Sequence, residues 1–313
     1  MRVLVTGASG LVGRTLCAVL QADGHQVMRG GRHAQGSGAV VTGELGSDCA
    51  WFDRIDCPDV IVHLAARVHQ MNEDPLQAEA LHRTANTEGT MALAQRAAAR
   101  GVRRFVFMSS VKVNGEGWVL PYRADDPPAP VDAYGRSKAV AEAGLLALAA
   151  GSAMEVVIIR PPLVYGPGVG GNFLTLMRWL RLGVPLPLAS LTGNRRSLVG
   201  VDNLVSLVVL CMTHPAASGR VWMAGDGEDV STAGLLRRIA AALGVPARLW
   251  PLPVGVLRLC AALAGRRAMA QRLCSTLTVD IGPTCTQLGW HPPLTLDQGL
   301  LRCAQAFGKS ADI

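Results

Sequence analysis

The chain has 313 residues, of which half are apolar, 17% are charged and only 4% are aromatic. That profile excludes a disordered, fibrous or coiled-coil chain and supplies enough apolar material for two domains, or for one large α/β unit with an appendage. The formal charge is +7, but the basic residues fall in scattered pairs such as Arg103-Arg104 and Arg195-Arg196, which argues against nucleic acid as a partner and for a small anionic ligand.

The eight cysteines show no C-x-x-C pair and no ligand spacing with the histidines. No metal is therefore expected, and the thiols read as reduced core residues of a cytoplasmic protein. The start MRVLVTGASG lacks the apolar core and cleavage site of an export signal. The most apolar stretches, 144–154 and 204–212, fall short of the ~20 residues of a membrane span, so membrane insertion is not expected and both are read as buried helices.

In chain order, Val3-Leu4-Val5 predicts a strand ending at Thr6-Gly7, and the pattern over 11–20 predicts a helix stopping at Gly24. Between them Gly7, Gly10 and Gly13 stand three apart. One allows a sharp turn, one allows backbone to approach a pyrophosphate and one allows close helix packing, while the helix N-terminus supplies N–H donors. Gly7, Ser9, Gly10, Leu11, Val12 and Gly13 are thus the expected dinucleotide cradle. A second strand at 26–29 runs into Met28-Arg29-Gly30-Gly31-Arg32-His33, with no carboxylate to hold adenosine ribose hydroxyls. Arginine there, Arg32 above all, suits a 2′-phosphate, so NADP(H) is favoured. The other reading leaves Arg29 and Arg32 solvated or stacked on adenine, with NAD(H) bound through other contacts. The glycine-rich piece at 30–38 is too short and solitary for an RNA-binding tract.

Continuous apolar strands are expected at 60–64, 105–109 and 156–159, with helices around 76–99 and 132–150 between them. Strands apolar on both faces predict the fold class α/β, a doubly wound parallel Rossmann sheet. Ser110 ends one strand, where its hydroxyl can hold a substrate oxygen. Tyr134 and Lys138 share one face of a helix capped by Asp132, and an ammonium beside a phenol favours phenolate, which suits general acid/base work. Past Pro161-Pro162 a glycine-rich loop marks a boundary near 165. Residues 1–165, completed by 196–225, form the nucleotide-binding unit, and 166–195 with 226–313 form a smaller C-terminal substrate-binding unit. That half holds helices at 173–182, 202–212 and 231–243, a strand at 221–223 and a last helix ending near Phe307.

TGASGLVG (6–13), HLAA (63–66), Asn86 in NTEGT, Ser109-Ser110, the Tyr134/Lys138 pair, RPPLVYGPG (160–168) and LGWHPP (288–293) together mark a likeness. Over nearly its whole length the sequence resembles the extended short-chain dehydrogenase/reductase family, in its nucleotide-sugar epimerase, dehydratase and reductase branch. The resemblance implies a seven-stranded Rossmann domain, a small domain closing over a UDP-sugar, and a homodimer. It assigns catalysis to Ser110, Tyr134 and Lys138, with Lys138 also on the nicotinamide ribose, and adds Leu64, Ala65, Ala66 and Pro161 to the cofactor-binding residues. It puts Asn172, Arg196 and Arg272 on the diphosphate, with Arg195 able to exchange with Arg196. His63 and Asn86 then support the cofactor loop, and Asp202, Asn203, Asp280 and Trp290 are structural. His69 and His82 are left as surface residues without a role.

Two departures narrow the reaction. Sugar 4,6-dehydratases of this family carry Asp-Glu after the residue matching Ser110, and here stand Val111 and Lys112. The usual Val-Tyr-Gly is Val113-Asn114-Gly115, so a sugar-facing aromatic is expected to be missing. What remains is hydride chemistry at sugar C4. SSVKVNGE, HLAARVH and RRSLV resemble enzymes that reduce a UDP-4-keto-6-deoxy-N-acetylhexosamine, and that reduction, with Tyr134 as proton donor, is the main expectation. The alternatives are a UDP-glucose or UDP-N-acetylglucosamine 4-epimerase with tightly bound NAD, a reductase of apolar ketones, and a cofactor-binding sensor without chemistry.

Overall fold

The computed structural model describes residues 1–33, 36–44, 46, 48–68, 75–118, 120–265 and 267–311. His69 lies outside them. Short apolar runs alternate with helices over the first half: β1 (Arg2–Thr6), α1 (Leu11–Ala22), β2 (Gln26–Gly31), β3 (Ala39–Val41), β4 (Val60–His63), α2 (Pro75–His82), α3 (Gly89–Ala99), β5 (Arg104–Met108), α4 (Ala133–Ala150) and β6 (Glu155–Arg160). With β9 (Arg220–Met223) these strands form one parallel seven-stranded sheet in the order β3-β2-β1-β4-β5-β6-β9. Strand order reverses between β1 and β4, and a crevice opens at such a switch point beyond the carboxyl ends of the strands.

The continuous apolar strands have a simple cause: successive side chains point to opposite faces, and both faces are covered. Val3, Val5, Val62, Val106 and Ile159 pack on one side against α1 and α6 (Val201–Cys211). Leu4, Ile61, Phe105, Phe107 and Ile158 pack on the other against α3 and α4. A second, smaller core joins β7 (Leu163–Tyr165), α5 (Gly171–Arg181), β8 (Arg196–Gly200), β10 (Asp229–Val230), α7 (Thr232–Ala242) and α11 (Leu296–Ala311) around Tyr165, Met177 and Leu236. There β8 pairs parallel with β7 and antiparallel with β10.

Several elements lack a signal in the sequence. β3, β7 and β10 span two or three residues each, too short to show a period. The helix expected over 76–99 is interrupted by a π-helical turn at Arg83–Glu88 that turns Asn86 fully inward; such turns recur at functional sites. Helices α8 (Val254–Leu263), α9 (Arg267–Cys274) and α10 (Gly282–Leu288) were not anticipated either, α8 because it is apolar nearly all round. The thiols are free, but Cys260 is exposed on that same helix, so the expectation of core cysteines fails there.

Between sheet and helix lies a buried ion pair. Arg160, ending β6, meets Glu142 of α4 through Nη2–Oε2 at 2.5 Å and Nε–Oε1 at 2.9 Å, with both side chains 4% exposed. The Ser109 hydroxyl donates to the same carboxylate, and Arg160 Nη1 donates to Asn114 Oδ1 at 3.1 Å. Position 114 therefore belongs to the core. Removing one partner of such a pair strands the other charge without water. Glu142→Gln is expected to cost roughly 3–5 kcal/mol in urea denaturation at neutral pH, and a loss under about 1 kcal/mol would contradict the charged pairing.

Candidate active site

The cofactor end is built by the turn after β1. Gly7 holds a φ of +68°, and a Cβ there would sit 2.8 Å from the Ala65 nitrogen. A Cβ on Gly13 would sit 2.2 Å from the Gly7 carbonyl oxygen, so α1 presses directly on the turn. Gly10 caps α1 without a side-chain hydrogen bond, and Ser9 and Gly10 are exposed while Leu11 and Val12 are half-buried. The first-turn N–H groups are thus open to an incoming phosphate. Backbone-only surface of this shape fits a pyrophosphate and leaves no room for side chains, so the chain's own residues fit a dinucleotide. Arg14, which the sequence reading passed over, lies across the turn and donates to the Ser9 carbonyl at 3.1 Å.

The opposite wall is the segment after β4. The His63 ring lies fully buried between the Thr6 hydroxyl (2.8 Å) and the Thr90 hydroxyl (3.0 Å), and the Ala65 N–H donates to Thr6 Oγ1 at 3.3 Å. Leu64, Ala65 and Ala66 are half-buried along this wall. Asn86 clamps it from below: its Oδ1 accepts from the Arg67 N–H at 2.8 Å, and its Nδ2 donates to the Arg67 carbonyl and the Ser137 hydroxyl, each at 3.0 Å. Pro161 is buried just past β6, and its carbonyl accepts from the Val111 N–H at 3.0 Å. Of the two arginines near the end of β2, Arg29 turns back to the Ser37 carbonyl at 2.6 Å. Arg32 is exposed and faces Glu44 at 3.3 Å.

At the chemical end, Asp132 Oδ1 accepts from the Gly135 N–H at 2.7 Å and starts α4, which presents Tyr134 and Lys138 one turn apart. Lys138 is 1% exposed. Its Nζ donates to the Met108 carbonyl at 2.9 Å and lies 4.3 Å from the Phe107 ring centroid. Burial brings its pKa down to about 7, against the opposing pull of Glu142. Ser110 follows Met108 by two residues, and its Oγ accepts from the Lys112 N–H at 3.3 Å. The Lys112 ammonium in turn pairs with Asp132. Ser110, Tyr134 and Lys138 thus come from the adjoining ends of β5 and α4, held together by Lys138 on one side and Lys112 on the other.

Two expectations are corrected. The Tyr134 phenol is not lowered: burial, with the Asp132 carboxylate adding to it, pushes it up to about 12. His82 is not on the surface. It is 1% exposed, its ring meets the Tyr134 ring edge-on at 5.9 Å, and its Nδ1 lies 3.3 Å from Asn86 Nδ2. The sequence reading also missed Glu142 and Arg160. The spacing of Glu142, one turn beyond Lys138, was the available signal.

On the substrate side, Arg196 donates to the Arg272 carbonyl at 2.7 Å and to Ser275 at 3.3 Å. Burial pushes its pKa down, and the Arg272 charge adds to that push. No carboxylate forms a salt bridge with either among the described residues, although the Glu116 charge opposes the downward push on Arg196. Arg195 instead donates to the Thr192 and Asn194 carbonyls. Asn172 stands exposed in the first turn of α5, with no hydrogen bond to Arg196 or Arg272. Asn203 ties Asp226 (2.7 Å) to the Leu294 backbone, Trp290 donates to Ser206 at 3.2 Å, Asp280 accepts from the Gly282 N–H at 2.8 Å, and Asp202 meets Arg302 at 3.3 Å.

The model of the NAD dependent epimerase/dehydratase family matches residues 3–225. The chain belongs to that family. It is an NAD(P)-dependent nucleotide-sugar enzyme of the extended short-chain dehydrogenase/reductase type. A UDP-glucose 4-epimerase of Vibrio cholerae is 45% identical over 312 residues, covering 97% of this chain and 95% of the relative. Solved structures share the fold. A UDP-glucose 4-epimerase of Thermotoga maritima with UDP-glucose is 22% identical with TM-score 0.78, covering 99% of this chain and 100% of that one. The Bordetella bronchiseptica enzyme WbmG with NAD and UDP is 21% identical with TM-score 0.76, covering 98% and 94%.

Two outcomes are expected from this geometry. Gly13→Ala drives a methyl into the Gly7 carbonyl, so NAD(H) affinity by fluorescence titration falls at least about tenfold; unchanged affinity would count against the cradle. Burial pushes His63 down to about 3 from 6.5. Protonation then favours the unfolded chain, so the contribution of His63 is complete above pH ~6.5 and is lost as pH falls towards ~3, at up to about 1.4 kcal/mol per unit. Denaturation curves at pH 7 and pH 5 should show that slope, and His63→Gln should flatten it.

Proposed function

We propose that the chain is a UDP-hexose 4-epimerase that keeps its nicotinamide cofactor through the catalytic cycle. The observation that carries this reading is the 45% identity to the Vibrio cholerae UDP-glucose 4-epimerase over nearly the full length of both chains. The environment of Arg32 supports NAD(H): Glu44 sets a carboxylate 3.3 Å from the guanidinium, at the edge where a 2′-phosphate would otherwise be neutralised. The reductase reading retains one supporting observation, the lack of a carboxylate in Met28-Arg29-Gly30-Gly31-Arg32-His33.

Gly7, Ser9, Gly10, Leu11, Val12 and Gly13, with Arg32, Leu64, Ala65, Ala66 and Pro161, hold the dinucleotide. The bound nicotinamide supplies reversible hydride uptake from sugar C4. Tyr134 takes the proton of the C4 hydroxyl and returns it after the sugar has turned its other face, so the substrate oxygen ends one cycle as it began, protonated. Ser110 holds that oxygen in line. Lys138 supplies the positive charge that a phenolate needs, which buried Tyr134 alone does not favour. Arg196 and Arg272 hold the diphosphate, where a planar fork can face two oxygens, and Asn172 adds an amide. The homodimer belongs to the same proposal, supported by Leu81 and Val140, 43% and 59% exposed on neighbouring helices α2 and α4. So does a cytoplasmic setting; no described helix is long and apolar enough to cross a membrane.

Purified protein is expected to interconvert UDP-glucose and UDP-galactose, or their N-acetyl counterparts, with no added cofactor. Tyr134→Phe should reduce turnover by about 10²–10⁴-fold with NAD(H) affinity kept. NADPH consumption with a UDP-4-keto sugar and no epimer formed would replace this reading with the reductase.

A further inference from the structure

Between Asp229 and Asp280 the chain carries seven arginines, no lysine and not one aspartate or glutamate. The formal charge of that stretch equals the +7 of the whole chain, so the remainder is balanced. Arg272 and Arg238 are accounted for, the first beside Arg196 and the second paired with Glu228 and Asp297. Arg237, Arg248 and Arg258 are exposed and meet no carboxylate among the described residues.

Within this stretch lies α8, VGVLRLCAAL, whose only charged residue is Arg258 and none of whose residues is buried. Val254 and Leu257 lean on the smaller core. The opposite stripe is also apolar: Val256, Leu259 and Leu263 are 43%, 60% and 82% exposed, with Cys260 exposed between them. Trp250, 45% exposed, precedes the helix. Its N–H donates to the Leu186 carbonyl, just beyond a turn that exposes Leu182 by 77%. A soluble surface helix carries polar residues on that outer stripe, and a contiguous apolar patch of this kind marks an interaction site.

We propose that α8 and Trp250 are a docking surface for an anionic lipid bilayer, with the outward stripe entering the headgroup boundary and Arg258, with the exposed arginines of the same stretch, meeting lipid phosphates. Apolar side chains, an interfacial tryptophan and unpaired arginines are the combination that such a boundary selects. A second copy of the chain is a poor occupant, because a two-fold contact would set this uniformly basic stretch against itself. A bilayer satisfies both features together. The placement has a consequence for the site: α8 leads into α9, whose end carries the Arg272 carbonyl that Arg196 holds at 2.7 Å, so docking would bring the paired arginines close to the lipid surface.

The test is flotation of the full chain with vesicles of phosphatidylglycerol and phosphatidylethanolamine, beside vesicles of phosphatidylcholine alone. The protein should float with the anionic vesicles, and high salt should weaken the binding. Leu259→Asp with Leu263→Asp should reduce the bound fraction at least about tenfold, with the unfolding midpoint and turnover on free UDP-sugar unchanged. Arg258→Glu should weaken binding to anionic vesicles in the same direction without touching the apolar stripe. No flotation, or equal flotation of the double variant, overturns the proposal. So does a shift of the double variant to a smaller oligomer in sedimentation velocity, which would assign the stripe to a second copy. The flotation and sedimentation readouts do not depend on which sugar the site accepts.

Discussion

The site rests on one buried cation. Lys138 has left water almost entirely, and the Met108 carbonyl, the face of Phe107 and the nearby Glu142 carboxylate are what the fold offers in return. A lone buried ammonium is costly, which explains why so much of the surroundings is organised around it. Glu142 is itself held by Arg160 and Ser109, and Arg160 by Asn114. The chain from Lys138 to Asn114 runs through α4, the end of β5 and the end of β6. It thereby fixes the three pieces of backbone that present Tyr134, Ser110 and Pro161.

The same economy shapes the cofactor wall. His63, kept neutral by burial, spends both ring nitrogens on threonines of β1 and α3, and Asn86 spends its amide on the loop after β4 and on Ser137 of the catalytic helix. Neither touches a reacting atom by virtue of these bonds. His63 thereby ties β4 to β1 and α3, and Asn86 ties the loop after β4 to α4, which carries Tyr134 and Lys138. Burial and Asp132 push the phenol of Tyr134 up; a positive charge and a hydrogen-bonded hydroxyl brought by ligands would tilt it towards phenolate.

Much of this was legible in the residues. Val3-Leu4-Val5 followed by Gly7, Gly10 and Gly13 states strand, turn and helix in eleven positions, and the Tyr134/Lys138 spacing with Asp132 as cap states the acid/base face. What stayed hidden has physical causes. His82 and Asn114 are polar side chains whose burial is satisfied by partners distant in sequence or set by a π-helical turn, and no local pattern reports that. β7 and β8 are short strands whose pairing is decided by the second core. The direction of the Tyr134 shift is set by burial and by the Asp132 charge, which the Tyr134/Lys138 spacing alone does not report. The α8 helix escaped because periodicity is the signal for a helix, and a segment apolar on both faces has none.

The charge distribution separates two tasks. Balanced elsewhere, the chain concentrates its excess of arginine in the stretch that includes Arg272 and α8, so the proposed substrate capture and the proposed surface attachment share one part of the fold. The central claim concerns the fate of the hydride at the sugar's C4. Incubating the purified enzyme with UDP-glucose deuterated at C4, with no added cofactor, tests it most directly by mass spectrometry and proton NMR of both epimers. The account predicts that deuterium remains at C4 in the product epimer; its appearance in free, exchangeable cofactor, or a product carrying hydrogen from another source at C4, would contradict it.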